Sequence, residues 1–200
     1  GMGNVRSLSN AFEYLGEDVV VSNDIKLMKS ADRLVLPGVG AYADAMSAMR
    51  ERELIAPLSH QVNVLKKPIL GVCLGMQLVA KDSQEHGAHE GLGWVDAHVE
   101  RLCPERPFKV PHVGWNSIAF DPADWLFDGI RQHEANFYFV HSYHMVCSNL
   151  EERIATTDYG GLVTAAVRKD NIVVTQFHPE KSQDNGLQLL SNWINWDGAC

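Results

Sequence analysis

The sequence contains no apolar run that approaches the roughly 20 residues a membrane-spanning helix needs. It also lacks a basic stripe, and its formal net charge of −8 argues against binding to the phosphate backbone of a nucleic acid. No charged N-terminal segment precedes an apolar stretch, so no signal peptide is visible. We therefore expect a protein with neither a membrane nor a nucleic acid as its partner.

Cysteine is also scarce. The four cysteines, Cys73, Cys103, Cys147 and Cys200, lie far apart and form no C-x-x-C pair. This spacing favours neither a zinc site nor a redox pair, and we expect no metal and no cofactor. Free thiols in a chain of this size are typical of the reducing cytoplasm, where we expect the protein to work.

The composition is that of an ordinary globular protein, with 46% hydrophobic and 21% charged residues. Its 200 residues are enough to bury a sizeable core. The sequence contains no linker, internal repeat or low-complexity tract. We therefore predict a single domain that covers residues 1–200.

The order of predicted elements indicates an α/β fold. Apolar residues recur at helical spacing from Leu8 to Leu15, and Gly16 is a suitable end for that helix. Further helices are predicted over 24–30, 42–66 and 184–196. Strands are predicted over 19–21, 33–36 and 68–73, then over 115–120, 136–140, 144–147, 153–157, 162–167 and 171–176. The alternation of strands and helices in the first half favours a parallel sheet flanked by helices, and the tight turns in the second half favour antiparallel pairing.

The segment Gly71-Val72-Cys73-Leu74-Gly75 follows an apolar strand and has the form small-x-nucleophile-x-small. Glycines on both sides give room for a strained strand-to-helix turn that exposes the thiol above the sheet edge. The N-terminus of the following helix would then favour a thiolate. On this pentapeptide alone, a buried structural cysteine at the end of a packed strand is the alternative.

A nucleophilic cysteine requires a base, and His178 is the best placed of the nine histidines because it follows the strand over 171–176. Glu180 stands two residues later, so in an extended segment its side chain points to the same side as the imidazole. It can then orient the ring and stabilise the imidazolium. Taken alone, the His-Pro-Glu segment is more typical of an ordinary surface turn.

Chemistry at a carbonyl carbon also requires donors for the developing oxyanion. Pro37-Gly38-Val39-Gly40 follows another strand, and its backbone amides at Val39 and Gly40 are candidates. The amide of Leu74, next to the proposed nucleophile, is a further candidate. Ligands of open α/β sheets bind outside the carboxyl ends of the strands, where these groups are expected to meet. A plain glycine and proline turn is the alternative.

Two motifs carry a resemblance to a known family. Gly-Val-Cys-Leu-Gly-Met-Gln over 71–77 and Gln-Phe-His-Pro-Glu-Lys-Ser over 176–182 resemble the triad, or class I, glutamine amidotransferases. The chain is similar, more narrowly, to the glutaminase subunits of imidazole glycerol phosphate synthases. The segments that match this subfamily are Gly1-Met2-Gly3-Asn4, the 37–40 turn, Pro111-His112-Val113-Gly114-Trp115-Asn116 and Tyr138-Phe139-Val140-His141-Ser142-Tyr143.

The resemblance implies a doubly wound, flavodoxin-like fold and a glutaminase reaction. Cys73 would attack the side-chain amide of L-glutamine, with His178 as base and Glu180 orienting it. The positions expected to hold the glutamine are Gln77, Glu85, Ser142 and Tyr143. The ammonia would pass to a cyclase subunit, a (β/α)8 barrel that forms a heterodimer with this chain and makes imidazole glycerol phosphate in histidine biosynthesis. The positions expected to face that partner are Asn4, Trp115, Asn116 and Lys181.

The sequence departs from this pattern in two places. The family has a strand before the Gly-x-Gly-Asn turn, central in the sheet between the strands expected near Val19 and Leu34. This chain begins at the turn itself, so the first strand is expected to be missing. Val113 occupies a position where methionine is expected.

Three other functions remain open on the sequence. A paralogue that supplies ammonia to another acceptor, such as a surface-sugar precursor, would share the triad. A cysteine peptidase or γ-glutamyl hydrolase would use a similar scaffold, but Gln77 and Glu85 argue against a longer substrate. A scaffold subunit with an inert cysteine turn is the third, and the presence of all three triad residues argues against it.

Overall fold

The computed structural model describes residues 2–198. The strands there are β1 (Leu34–Gly38), β2 (Ile69–Cys73), β3 (Asp82–Ser83), β4 (His89–Glu90), β5 (Ala97–Arg101), β6 (His112–Ser117), β7 (Ala119–Phe120), β8 (Asn136–His141), β9 (Tyr143–Cys147), β10 (Arg153–Asp158), β11 (Leu162–Lys169) and β12 (Ile172–Thr175). The helices are α1 (Met2–Tyr14), α2 (Ile25–Ser30), α3 (Tyr42–Glu51), α4 (Ile55–Ser59), α5 (Leu74–Leu78) and α6 (Gln183–Asn195).

The main sheet has six strands in the order β1-β2-β12-β11-β10-β7. The pairs β1–β2 and β2–β12 are parallel, and the remaining pairs are antiparallel. A smaller sheet has the order β4-β3-β5-β9, and β6 and β8 form an antiparallel ribbon. The predicted α/β class, parallel in the first half and partly antiparallel in the second, is confirmed.

Two apolar clusters lie on opposite faces of the main sheet. Side chains alternate along β2, so that Leu70 joins one cluster and Ile69 the other. Helices α1 and α6 cover the first face, where Phe12 and Trp193 meet edge to face at 5.8 Å. Helices α3, α4 and α5 cover the second face, where Tyr42 and Met46 are fully buried. Helices on both faces are the doubly wound arrangement expected from the resemblance.

The first helix is confirmed, but it starts earlier than predicted. Leu8, Ala11 and Phe12 form its buried face, and Gly16 follows its end with a φ of 94° that glycine adopts readily. Residues 2–4 belong to α1 rather than to a turn, and Gly1 lies outside the described residues.

The predicted strand at 19–21 is wrong. Residues 17–24 have no regular structure, and Val20 and Val21 are 69% and 66% exposed. A run of β-branched residues forms a stable strand only where a neighbouring strand offers backbone partners. Within residues 2–198, β1 pairs with β2 alone, and no strand pairs with the valine run.

The single helix predicted over 42–66 is also wrong, because the structure divides it. Helix α3 ends at Glu51, Glu53 adopts a positive φ of 54°, and α4 then continues into a π-helical turn over His60–Val64. The short strands β3, β4 and β5 were not predicted, since two of them have only two residues each. Between residues 2 and 198, no helix is long and apolar enough to cross a membrane.

Candidate active site

Cys73 ends β2 and immediately precedes α5. Its φ of 56° and ψ of −109° are unusual for a non-glycine residue, and such a backbone costs on the order of 1–3 kcal/mol. The flanking glycines have a steric reason. A Cβ on Gly71 would lie 2.8 Å from Cγ1 of Val174, and a Cβ on Gly75 would strike the carbonyl oxygen of Leu36. The small-x-nucleophile-x-small pattern therefore allows three segments to pack closely around the cysteine.

The thiol is more enclosed than the sequence predicts. Cys73 is only 7% exposed, so the expected exposed thiol is wrong for this conformation. Its Sγ lies 3.9 Å from the carbonyl oxygen of Val140 and 3.8 Å from Nε2 of Gln176. The ribbon strand β8 and the segment after β12 thus cover the sulfur. Helix α5 is only one turn long, so its dipole is a small influence.

His178 follows β12 and is fixed by its backbone. Its N–H donates to the carbonyl of Tyr138 at 2.9 Å, and its carbonyl accepts from the Ser182 hydroxyl at 2.6 Å. Its ring Nδ1 lies 2.8 Å from Oε1 of Glu180, and both side chains are fully buried. No other side chain or backbone group of residues 2–198 forms a hydrogen bond with Nε2. The imidazole is therefore held by the carboxylate on one side while its second nitrogen stays available.

The charge state of His178 follows from its neighbours. Burial is the largest influence and acts to lower the pKa, but the Cys73 sulfur and the Glu180 carboxylate together raise it to about 9. At neutral pH the imidazole is therefore protonated. A buried imidazolium beside a cysteine favours the thiolate, which is the reactive form of the nucleophile.

The oxyanion candidates lie at the same end of the sheet. Gly38 pairs with Cys73 in the parallel register of β1 and β2, so Val39 and Gly40 continue from the strand end beside the nucleophile. Gly40 has a φ of 105°, and Leu74 is the first residue of α5. The predicted turn is shorter than expected, since Pro37 and Gly38 still belong to β1.

The residues expected to hold glutamine are only partly brought together. Gln77 is buried, and its Nε2 donates to the carbonyl oxygen of Tyr143 at 2.9 Å. Glu85 lies in the loop between β3 and β4, where Oε2 accepts from the backbone N–H of Tyr42 at 2.6 Å. That bond caps the start of α3. Ser142 lies between β8 and β9, and its carbonyl accepts from the Leu102 N–H.

The profile of the family described as glutamine amidotransferase class-I matches residues 1–196. The chain belongs to this family. It is 46% identical to subunit HisH 2 of imidazole glycerol phosphate synthase from Nitrobacter winogradskyi, a match that covers 98% of this chain and 95% of the relative. The corresponding subunit HisH 2 from Vibrio vulnificus is 45% identical, with 98% and 91% covered. The resemblance found in the motifs is thereby confirmed.

Solved structures agree on the fold of this amidotransferase. A crystal structure of a glutamine amidotransferase matches with a TM-score of 0.69 at 20% identity, covering 94% of this chain and 93% of that one. The glutaminase domain of CTPS from Trypanosoma brucei, solved with bound acivicin, matches with a TM-score of 0.62 at 17% identity, covering 96% and 88%. Identities this low establish the shared fold alone.

The residues expected to face a partner differ in accessibility. Trp115 is 49% exposed on β6, meets Tyr138 edge to face at 6.1 Å, and shares that ring with Lys181, whose Nζ lies 5.7 Å from the centroid. The side chain of Asn116 donates to the Asp158 carbonyl at 2.9 Å. Asn4 is buried at 7% exposure, and among the described residues neither of its amide atoms has a hydrogen-bond partner.

Sequence reasoning missed Gln176, which is fully buried and contacts the nucleophile. Its position two residues before His178 on an extended segment would have placed both side chains on one side of the chain. It also missed the contact between His112 and His141, whose rings lie 3.0 Å apart from nitrogen to nitrogen. No group of three or more His, Cys, Asp or Glu residues within 2–198 is arranged to hold a metal ion.

Proposed function

We propose that this chain is the glutaminase subunit of an imidazole glycerol phosphate synthase. It hydrolyses L-glutamine to glutamate and ammonia, and passes the ammonia to a cyclase subunit with a (β/α)8 barrel. The observation that carries the proposal is Cys73 on a strained turn beside a His178 that Glu180 holds at 2.8 Å. The names of the relatives supply the acceptor. The free thiols of Cys73, Cys103 and Cys147 support a cytoplasmic location.

The reaction uses the triad in two steps. The Cys73 thiolate attacks the side-chain amide carbon of glutamine, and a carbon–sulfur bond forms. The imidazolium of His178 gives its proton to the leaving nitrogen as the carbon–nitrogen bond breaks, which releases ammonia and leaves a thioester. The neutral imidazole then takes a proton from water, the resulting nucleophile attacks the thioester, and glutamate leaves with Cys73 restored. Glu180 keeps the ring oriented in both steps.

Stabilisation of the oxyanion depends on the glycine turn. The Leu74 amide begins α5 next to the sulfur, and the amides of Val39 and Gly40 follow β1 on the adjacent strand end. A donor in such a position contributes about 2.7–4 kcal/mol, or roughly 10²–10³ in rate. Because glycine rotates its peptide planes at modest cost, a bound partner can turn one of these amides toward the site. The isolated chain is therefore expected to be a slow glutaminase.

Binding of the glutamine head group falls to the residues around Gln77. Both hydrogens on Nε2 of Gln77 are engaged, by the carbonyl of Tyr143 and by Oε1 of Gln176, so its own carbonyl oxygen is the group that can accept from an α-ammonium. Glu85 offers its second carboxylate oxygen, while Ser142 and Tyr143 close the pocket from the turn between β8 and β9.

The partner-facing surface is the ribbon of β6 and β8 with the turn after β12. Trp115 and Lys181 are exposed there, and both lie against the ring of Tyr138. The backbone carbonyl of Tyr138 accepts from the N–H of His178. Exposed aromatic side chains of this kind serve as anchors in stable interfaces. Asn116 is the next residue of β6, with its side chain donating to the Asp158 carbonyl, and Asn4 lies in α1, which packs against the turn over 179–181. A partner bound to this surface would lie next to the segment that contains His178, and would receive the ammonia released at the triad.

Two comparisons test the proposal. The Cys73→Ala variant, mixed with the cyclase and its nucleotide substrate, should lose synthesis from glutamine and retain synthesis from added ammonium salt, because the thiol serves only amide cleavage. Wild-type chain assayed with and without the cyclase should hydrolyse glutamine faster in the complex. The proposal would be wrong if Cys73→Ala kept glutamine-dependent synthesis, or if it lost both activities while still folded and bound to the cyclase.

A further inference from the structure

A continuous set of hydrogen bonds connects the nucleophile to the start of β9. Gln176, fully buried, places Nε2 3.8 Å from the Cys73 sulfur. Its Oε1 accepts from Nε2 of Gln77 at 3.0 Å, and the same Nε2 donates to the Tyr143 carbonyl at 2.9 Å. Polar side chains buried this deeply are normally hydrogen-bonded, so the donor and the acceptor of each bond can be assigned.

The direction of these bonds is fixed by the Tyr143 carbonyl, which can only accept. Gln77 must therefore turn its NH₂ group toward Tyr143, and that same group also faces Gln176. Gln176 must then present its oxygen to Gln77, which leaves its NH₂ group facing the sulfur. The alternative orientation of either amide would set two donors or two acceptors against each other.

His141 contacts the same carbonyl and is in turn paired with His112. Nδ1 of His141 lies 2.9 Å from the Tyr143 oxygen, and Nε2 of His141 lies 3.0 Å from Nδ1 of His112. Burial lowers the pKa of His141 to about 3 and that of His112 to about 4, so both rings are neutral at working pH. His141 must then carry its proton on Nδ1 to donate to Tyr143. The carbonyl that orients the two glutamines is thus itself fixed by a second donor.

We propose that Gln176 is a further catalytic residue, whose side-chain N–H donates to the Cys73 sulfur and stabilises the thiolate opposite His178. The inference rests on the proposed function, in which Cys73 is the nucleophile. A donor aimed at an ionised acceptor favours the ionised form, and the Gln176 amide, oriented by its bond to Gln77, does so without reorganising during the reaction. If Gln77 and Gln176 only satisfied each other's hydrogen bonds in the core, replacing Gln176 would not change the ionisation of Cys73.

The test measures the chemistry of the thiol in the purified full chain. Alkylation of Cys73 by iodoacetamide is followed against pH, by mass spectrometry of the peptide that contains it, in wild type, Gln176→Met and Gln188→Met. Methionine keeps the length of glutamine and removes its donor. Gln176→Met should move the pH midpoint upward by about one unit, the tenfold effect expected of one hydrogen bond to a charged group. The exposed Gln188 lies on α6, so its variant should keep the wild-type midpoint.

A second measurement needs no change at the glutamine. In wild type, the side-chain ¹⁵N resonance of Gln176 should titrate with the midpoint found for Cys73 alkylation, and this titration should vanish in Cys73→Ser. An unchanged alkylation midpoint in a folded Gln176→Met chain overturns the proposal, and so does a Gln176 resonance that ignores the ionisation of Cys73. Neither readout uses glutamine or the cyclase. Retained glutaminase activity in Cys73→Ala would instead overturn the proposed function, whatever Gln176 does.

Discussion

The charge of His178 gives the sharpest prediction, because its pKa depends on the sulfur that it serves. We expect the wild-type imidazole to titrate at about 9 and the Cys73→Ser variant to titrate lower by at least about one unit. Serine removes the thiolate while keeping the shape of the turn. In that variant the Glu180 carboxylate, 2.8 Å from Nδ1, still raises the pKa of His178 against the effect of burial, but without the help of the sulfur.

The magnitude follows from the difference between about 9 in the folded chain and the ordinary value of 6.5. A shift of that size corresponds to roughly 3 kcal/mol. The folded state binds this proton more tightly than the unfolded state. Its contribution to stability is therefore complete below about pH 6.5 and is lost as the pH rises through about 9. Glutamine hydrolysis should fall over the same alkaline limb, because His178 then lacks the proton for the leaving ammonia.

The assay is a two-dimensional NMR titration of the histidine ring nitrogens from pH 5 to pH 10, on wild type and on Cys73→Ser. His133 is exposed in the segment between β7 and β8, so its resonance serves as an internal control that the serine substitution should not move. The reasoning would be refuted by a wild-type His178 that titrates near 6.5, or by the same value in both chains. Either result would mean that the sulfur does not act on the ring.

Two further predictions concern packing and assembly. Gly75→Ala should lower the free energy of unfolding in urea by about 1–3 kcal/mol, because the new Cβ meets the backbone carbonyl of Leu36. Ser47→Ala on the exposed face of α3 is the control and should change stability little, so equal stability of the two variants would contradict the close approach. Trp115→Ala should weaken cyclase binding by at least tenfold in calorimetry with the fold intact, while Val64→Ala, exposed in the π-helical turn before β2, should bind normally; undiminished binding by Trp115→Ala would place the interface elsewhere.

Much of the fold could be predicted because its signals are local. The helix from Leu8, the strand into Cys73 and the short strands of the second half follow from periodicity and from glycine turns over a few residues. The errors arise where the local structure depends on contacts with residues that are distant in the sequence. Val20 and Val21 have the composition of a strand, but none of the described strands pairs with them. Likewise, the positive φ of Glu53, which separates α3 from α4, is a backbone conformation that the apolar pattern does not predict.

The candidate site divides in the same way. The glycines around Cys73 and the acid two residues after His178 could be predicted because each relationship lies within one segment. The spacing of Gln176, two residues before His178, places it on the side of the imidazole, but its hydrogen bonds could not be predicted, because they depend on Gln77, which reaches it from α5 and donates to the Tyr143 carbonyl of β9. Spacing along the chain contains no information about such a contact until the strands have been placed.

The order of three strands accounts for the meeting of the catalytic groups. Strand β2, which ends at Cys73, lies between β1 and β12, and both neighbours run parallel to it. Their carboxyl ends therefore reach the same edge, with the amides after β1 on one side of the sulfur and His178 on the other. Gly71 and Gly75 permit that order by letting Val174 and the Leu36 carbonyl approach closely. A larger residue at either glycine would separate the nucleophile from one of its two neighbours, so the same steric requirement shapes the turn and assembles the site.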